Sequence, residues 1–231
     1  MGTPHLRFSA EDRRNQILET ATDLFARQGY EGTTTRQIAE KAHVNEAIIF
    51  RHFPSKDELY WAVIELQCKL GKGRQHVEDQ LASSGDVREV FVEIATDFLG
   101  RRENDDRLGR LLLFSALENH RLSHRFFQTH IAEYYERLGV YIRERIEDGT
   151  FRSVNPLLAA RAFMGMLVYH YMIQELFGGK KYHKMDNREV AEELVDIWLN
   201  GVVSQGRNSN GANGKSHAAK SGAAARKTER E

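Results

Sequence analysis

The sequence predicts an all-α protein, and three observations carry that reading. Its three prolines, Pro4, Pro54 and Pro156, lie far apart, so helices can run uninterrupted through most of the 231 residues. Apolar residues recur at helical spacing, first as Ile17, Leu18, Ala21, Leu24 and Phe25. No stretch shows the strict apolar–polar alternation of a half-buried strand. The expected architecture is an N-terminal three-helix unit followed by a larger helical domain, about nine helices in total.

Each element has its own start and stop signals. Ser9-Ala10-Glu11-Asp12 places a hydroxyl before a carboxylate three residues on, a capping box for the first helix, and Gly29 can end it. Thr34 and Gln37 repeat the pattern before Ile38, Ala39 and Ala42, in a helix of about two turns. His43-Val44-Asn45 then interrupts, and Asn45 can cap a second short helix over Glu46 to Phe53, closed by Pro54. Ser55-Lys56-Asp57-Glu58 opens a long helix bearing Leu59, Val63, Leu66 and Leu70, with Gly71 and Gly73 as weak points. Helices are expected over 86–101, 106–120, 123–148, 155–178 and 187–204. Gly149, Asn155-Pro156 and Gly178-Gly179 punctuate them.

The chain divides on this reading into a flexible start (1–8), a three-helix head (9–54), a helical body (55–204) and a basic tail (205–231). The tail has six Lys or Arg against two Glu and no large apolar residue, so it is expected to be disordered. It serves either as a solubilising appendage or as a weak, salt-sensitive attraction to a polyanion.

Composition narrows the function classes. Hydrophobic residues make up 41% and charged residues 29%, ordinary values for a soluble globular chain. Met1 to Ser9 lacks a signal-peptide core, and no run is read as apolar enough to span a bilayer, so no membrane partner and a cytoplasmic location are expected. The lone Cys68 precludes an intrachain disulfide framework and a multi-cysteine metal site. His120, His124 and His130 are metal-spaced, but Arg121 and Arg125 beside them would repel a cation. With no phosphate-binding glycine loop, nucleophile elbow or metal triad, neither enzyme activity nor a cofactor is expected.

The run Thr33-Thr34-Thr35-Arg36-Gln37-Ile38-Ala39-Glu40-Lys41-Ala42-His43-Val44-Asn45-Glu46-Ala47-Ile48-Ile49-Phe50-Arg51-His52-Phe53-Pro54-Ser55-Lys56-Asp57-Glu58-Leu59 resembles the signature of the tetracycline-repressor (TetR) family. Upstream, Ala21, Leu24, Phe25, Gly29 and Tyr30 match as well. The resemblance implies a helix-turn-helix that binds double-stranded operator DNA, a homodimer, and a body that senses an unknown small-molecule effector. It implies repression relieved by that effector, and the positions of Glu46, Ala47, Phe50 and His52 commonly meet DNA in the family. A purely helical interaction protein would share the amphipathic helices but not this run.

The residues make the same case physically. Ile38, Ala39, Ala42, Val44, Ile49 and Phe53 share the inner faces of the two short helices and would fix their crossing angle. The opposite face of the second carries Glu46, Ala47, Ile48, Phe50, Arg51 and His52. Ile48 and Phe50 would touch thymine methyls and sugars, or else pad the junction with the next helix. Thr34, Arg36 and Lys56 are expected at phosphates, the alternatives being capping for Thr34 and a solvated charge for Arg36. With Asn45, these residues form the expected DNA-facing set. Two departures from the family pattern stand out: His43 replaces a frequent glycine in the turn and must tolerate a left-handed conformation, and Phe50 replaces a frequent tyrosine. Residues 5–60 hold eight Lys or Arg against nine Asp or Glu, so any basic face must be local and doubled by dimerisation.

The body is read from its apolar pattern, and its dimer face from the resemblance. The last two helices are apolar over a wide arc, and the resemblance implies that they pair with their counterparts across a two-fold axis as a four-helix bundle, so Leu158, Ala162, Met166, Tyr171, Leu194, Ile197, Trp198 and Val202 are the expected dimer residues; an intrachain core is the alternative. Trp61, Phe98, Phe114, Leu117, Tyr134, Met164, Val168 and Tyr169 are expected to line a largely apolar pocket, with Glu118, His170 and Gln174 as polar anchors. Ordinary core positions remain the alternative for them.

Overall fold

The computed structural model describes residues 9–70, 73–83, 85–101, 103, 105–118 and 121–203. The expected flexible start, the basic tail and His120 lie outside the described residues. Helix α1 (Ala10–Gln28) begins as its sequence requires: Ser9 Oγ accepts the Asp12 N–H at 3.0 Å, and the Asp12 carboxylate accepts the Ser9 N–H at 3.0 Å. Helices α2 (Thr35–Lys41), α3 (Glu46–His52) and α4 (Lys56–Leu70) complete the N-terminal part. Then come α5 (Gly73–Leu81), α6 (Val87–Arg101), α7 (Arg107–Leu117) and α8 (Arg121–Phe126). A π-helical turn, Phe127–Ile131, carries α8 into α9 (Ala132–Glu147). Last are α10 (Pro156–Tyr171), extended by a second π turn at Met172–Leu176, and α11 (Asn187–Val202).

With α8 and α9 taken as one rod, the described residues hold ten helices rather than the expected nine. The addition is α5. Gly73 opens it at a terminal position, where glycine costs less than in a helix interior.

Two cores organise the chain. The first gathers Ile17, Leu18, Phe25, Ile38, Ile49 and Phe53 around Leu59, Tyr60 and Ile64 of α4, and is completed by Leu111 of α7 and Leu122 of α8. The head is therefore finished by body helices. The second core is built on Phe91, Ile94, Leu138, Ile142, Phe163, Leu167, Val195 and Trp198, where α6 packs on α11 and α10 on α9. Pro156–Leu176, 21 residues at a mean hydropathy of 1.2, is long and apolar enough to cross a bilayer by length and composition, which corrects the sequence expectation that no run is. In the fold it lies against α9 and α11, with Phe163 and Leu167 buried.

A forked ion pair ties α6 to α11: Arg88 donates through Nε and Nη2 to the two Asp196 carboxylate oxygens at 2.7 and 2.9 Å. The Arg88 hydrogen bond holds the Asp196 carboxyl below the ordinary carboxylate value. A lowered folded value stabilises the fold above the unfolded pKa and is lost as the pH falls through the folded one. Asp196→Asn should thus lower the melting temperature a little at neutral pH, a small effect because the pair is solvent-exposed, and the difference from the parent should close as the pH falls below about 4. Melting temperatures of both proteins between about pH 3 and 7 check this.

Candidate nucleic-acid interface

The two short helices are fixed by local chemistry. At the start of α2, Thr34 Oγ1 accepts the Gln37 N–H at 3.1 Å and Gln37 Oε1 accepts the Thr34 N–H at 2.8 Å. After α2 the chain turns at His43, whose φ of +52° is the left-handed conformation that a histidine in place of glycine has to accept. Asn45 Oδ1 accepts the Ile48 N–H at 2.9 Å and starts α3. Thr35 Oγ1 donates to the Glu46 carboxylate at 2.6 Å, locking the first turn of α3 to that of α2. Inside, Ile49 and Phe53 bury against the Ile38 and Ala39 core.

What remains outside is a short ridge. Ala47 and Arg51 are exposed, and Phe50 leaves 46% of its surface in water. Glu46 and His52 are half-buried at its edge. Ile48 takes the alternative reading: it is half-buried and packs against the head core. Arg36 is exposed and donates to Glu40 at 2.9 Å, a hydrogen bond that raises the guanidinium pKa further. An ion pair this exposed contributes little to stability. Lys56 is half-buried with Nζ 4.0 Å above the Tyr30 ring, and burial lowers its pKa.

Sequence reasoning missed the groups that hold this head in place. Arg14 of α1 lies over the Phe53 ring at 5.0 Å. Glu118, at the end of α7, accepts the backbone N–H of Tyr30 at 3.1 Å and of Glu31 at 3.4 Å. Arg107, at the start of α7, donates to Glu19 of α1 at 2.6 Å. The Glu118 and Arg107 partners are 87 or 88 residues away in sequence, and no local pattern announces such pairs.

The body corrects several expectations. Trp198, Tyr171 and Val202, expected at a dimer face, are buried within their own chain; Trp198 is 5% exposed and its indole N–H donates to Ala159 O at 3.1 Å. Leu194 and Met166 are half-buried against the same core. The apolar arc is wide because one side serves this chain. Leu158, Ala162 and Ile197 lie on the other side and are exposed, Ile197 at 60%.

The expected pocket residues do not converge. Trp61 is buried in the first core beneath the Arg125 guanidinium at 4.0 Å and beside His130. Phe98, Tyr134 and Met164 belong to the second core. Phe114 lies beside Gly29, and Glu118 is committed to the turn above. Leu117 is 83% exposed, and Val168 and Tyr169 face outward on α10 beside the Leu158 side. Of the expected set, His170 and Gln174 line a cavity of about 240 Å³, with Leu99, Tyr171, Lys180 and Met185 among its walls. Burial lowers the His170 pKa, and the Gln174 Oε1 atom is buried without a hydrogen-bond partner. Among the described residues no cluster of His, Cys, Asp or Glu could hold a metal; His130 faces Glu65 at 3.4 Å instead.

Two family models match the chain. Residues 17–63 match the bacterial regulatory proteins of the tetR family, and residues 91–201 the C-terminal domain of AefR-like transcriptional repressors. An uncharacterised HTH-type transcriptional regulator of Bacillus subtilis, YvkB, is 27% identical over 193 residues, 81% of this chain and 95% of that protein. The fold is similar to that of the transcriptional regulator FadR from Bacillus subtilis in complex with stearoyl-CoA, at a TM-score of 0.64 and 17% identity over 81% of this chain and 98% of the other. It is also similar to AibR in complex with isovaleryl coenzyme A and operator DNA, at a TM-score of 0.63 and 20% identity over 80% of this chain and 97% of that one. An all-helical fold, a capped helix-turn-helix with its outer ridge bare, and matches across head and body lead to one conclusion: this chain belongs to the TetR family, a DNA-binding transcriptional regulator and not an enzyme.

Proposed function

We propose that the protein is a cytoplasmic homodimeric repressor that grips operator DNA with two α3 helices and releases it when a small, largely apolar effector enters the body. The observation that carries this reading is the bare ridge of α3, where small Ala47, apolar Phe50 and cationic Arg51 stand together in solvent. A ridge of that composition suits a major groove: Ala47 permits close approach, Phe50 meets thymine methyls and sugars, and Arg51 adds charge. Glu46, Ile48 and His52 flank it, while Thr34, Arg36, Asn45 and Lys56 face the phosphates. In this reading residues 9–54 are the reading head and residues 55–204 the sensing body, although the head core borrows from α4, α7 and α8.

The exposed side of α10 and α11, with Leu158, Ala162, Tyr169 and Ile197, is covered by the same side of a second copy rather than by lipid. Effector binding then shifts the separation of the two heads and their fit to successive grooves. Acyl thioesters are the first effector class to test, since AibR and FadR are each bound to one. Protection mapping on genomic DNA tests the whole reading. It should reveal a palindrome protected by a species of twice the chain mass, with half-sites about 34–36 Å apart. Uniform, sequence-independent protection by a monomer would overturn it.

A further inference from the structure

Tyr30 sits where the two parts of the chain meet, and both the body and the DNA-facing residues hold on to it. Its backbone N–H, with that of Glu31, donates to the Glu118 carboxylate of α7 at 3.1 and 3.4 Å. Its ring packs edge-on against Tyr60, centroids 5.3 Å apart, and carries the Lys56 ammonium 4.0 Å above it. Its hydroxyl donates to Asp57, the carboxylate that Arg121 of α8 also pairs with. The same turn supplies Gly29 O, which accepts the buried Thr33 hydroxyl at 2.8 Å immediately before the cap of α2. The turn is shaped for the carboxylate: Gly29 has φ +74°, and a Cβ there would run into Glu118 Oε1.

We infer that Glu118 is the positioning residue through which the sensing body sets the DNA-reading head. Its carboxylate clamps the α1–α2 turn and, through Tyr30, places both the start of α2 and the Lys56 ammonium. Three features support this. A carboxylate that accepts two backbone N–H groups makes charge-assisted bonds, which are stronger and more directional than neutral ones. Glu118 stands at the C-terminal cap of α7, so any sliding or rotation of α7 moves it. The other end of α7 is tied to α1 by Arg107 and its middle to α4, where the Tyr60 hydroxyl donates to Leu111 O at 2.7 Å. Helix α7 thus grips the head at both ends and in the middle, and the Glu118 end lies nearest the DNA-facing residues. An effector that displaces α7 would pull the carboxylate from the turn and free Lys56 and α2 together. The inference rests on the operator-binding reading proposed above.

The test uses full-length E118A and E118Q, with three readouts: operator affinity, melting temperature, and hydrogen exchange of the peptide containing Tyr30 and Glu31. E118A should bind operator about tenfold more weakly, and E118Q, which keeps an uncharged acceptor, roughly threefold more weakly. Exchange at Tyr30 and Glu31 should accelerate in the same order. Operator affinity within about twofold of the parent for both variants would overturn the inference, whether or not the melting temperature falls, because a merely structural role moves the latter alone. Unchanged protection of the two amides in E118A would overturn it equally. If the parent chain itself recognises no palindrome, the operator reading fails, while the exchange readout still reports whether the clamp exists.

Discussion

Phe91→Ala is expected to cost about 3–5 kcal/mol of folding stability, a large part of the roughly 5–15 kcal/mol a domain possesses. Phe91 is fully buried on α6, with ring centroids 4.5 Å from Trp198, 4.9 Å from Phe163 and 5.8 Å from Tyr141. Those three rings come from α11, α10 and α9, so the one side chain joins four helices. Trp198 cannot close the gap, because its indole N–H is fixed on Ala159 O and its far edge packs against Phe151 at 5.7 Å. A cavity would therefore remain, adding its own penalty to the lost transfer energy. Denaturant unfolding should show an earlier midpoint with an unchanged slope, and the melting temperature should fall by roughly 10 °C or more. A loss below about 1 kcal/mol would mean that the four helices do not depend on this contact.

The sequence was informative wherever the physics is local. Ser9, Thr34 and Asn45 announced three helix starts, because a cap and its target N–H are only three residues apart. The left-handed turn at His43 was legible through the family resemblance, which places a frequent glycine there. Wherever an assignment depended on a distant partner, pattern failed. The spacing of Trp198 and Tyr171 marked them as apolar helix positions but could not tell a core within the chain from a face shared with another copy. Glu118 looked like a polar anchor in an apolar pocket; its true partners are backbone groups of a turn 87 and 88 residues away. Ile48 showed the same ambiguity on a smaller scale, since a seven-residue helix is too short to separate an inner face from an outer one by period alone.

Ala47→Glu should abolish specific operator binding, lowering affinity by about 100-fold or more, and leave the fold almost untouched. Ala47 lies in the first turn of α3, exposed and next to Phe50 on the ridge. A glutamate there is compatible with the helix, since acidic residues favour the first turn, so stability should change by less than about 0.5 kcal/mol. Against DNA the same side chain acts in two unfavourable ways. It holds the helix off the base edges, and it brings a carboxylate towards a surface carrying one negative charge per about 1.7 Å. Glu46 is already beside it, but its carboxylate is engaged by Thr35, so the new charge would be the first free negative charge on the ridge itself. Phe50→Ala gives the graded counterpart: it removes apolar contact without adding repulsion, and about a tenfold loss is expected. Gel retardation at two salt concentrations separates the two mechanisms. Because the penalty of Ala47→Glu is largely electrostatic, it should shrink as salt rises, whereas the Phe50→Ala loss should stay constant. Equal affinities for parent and Ala47→Glu on a palindromic site would remove α3 from the groove.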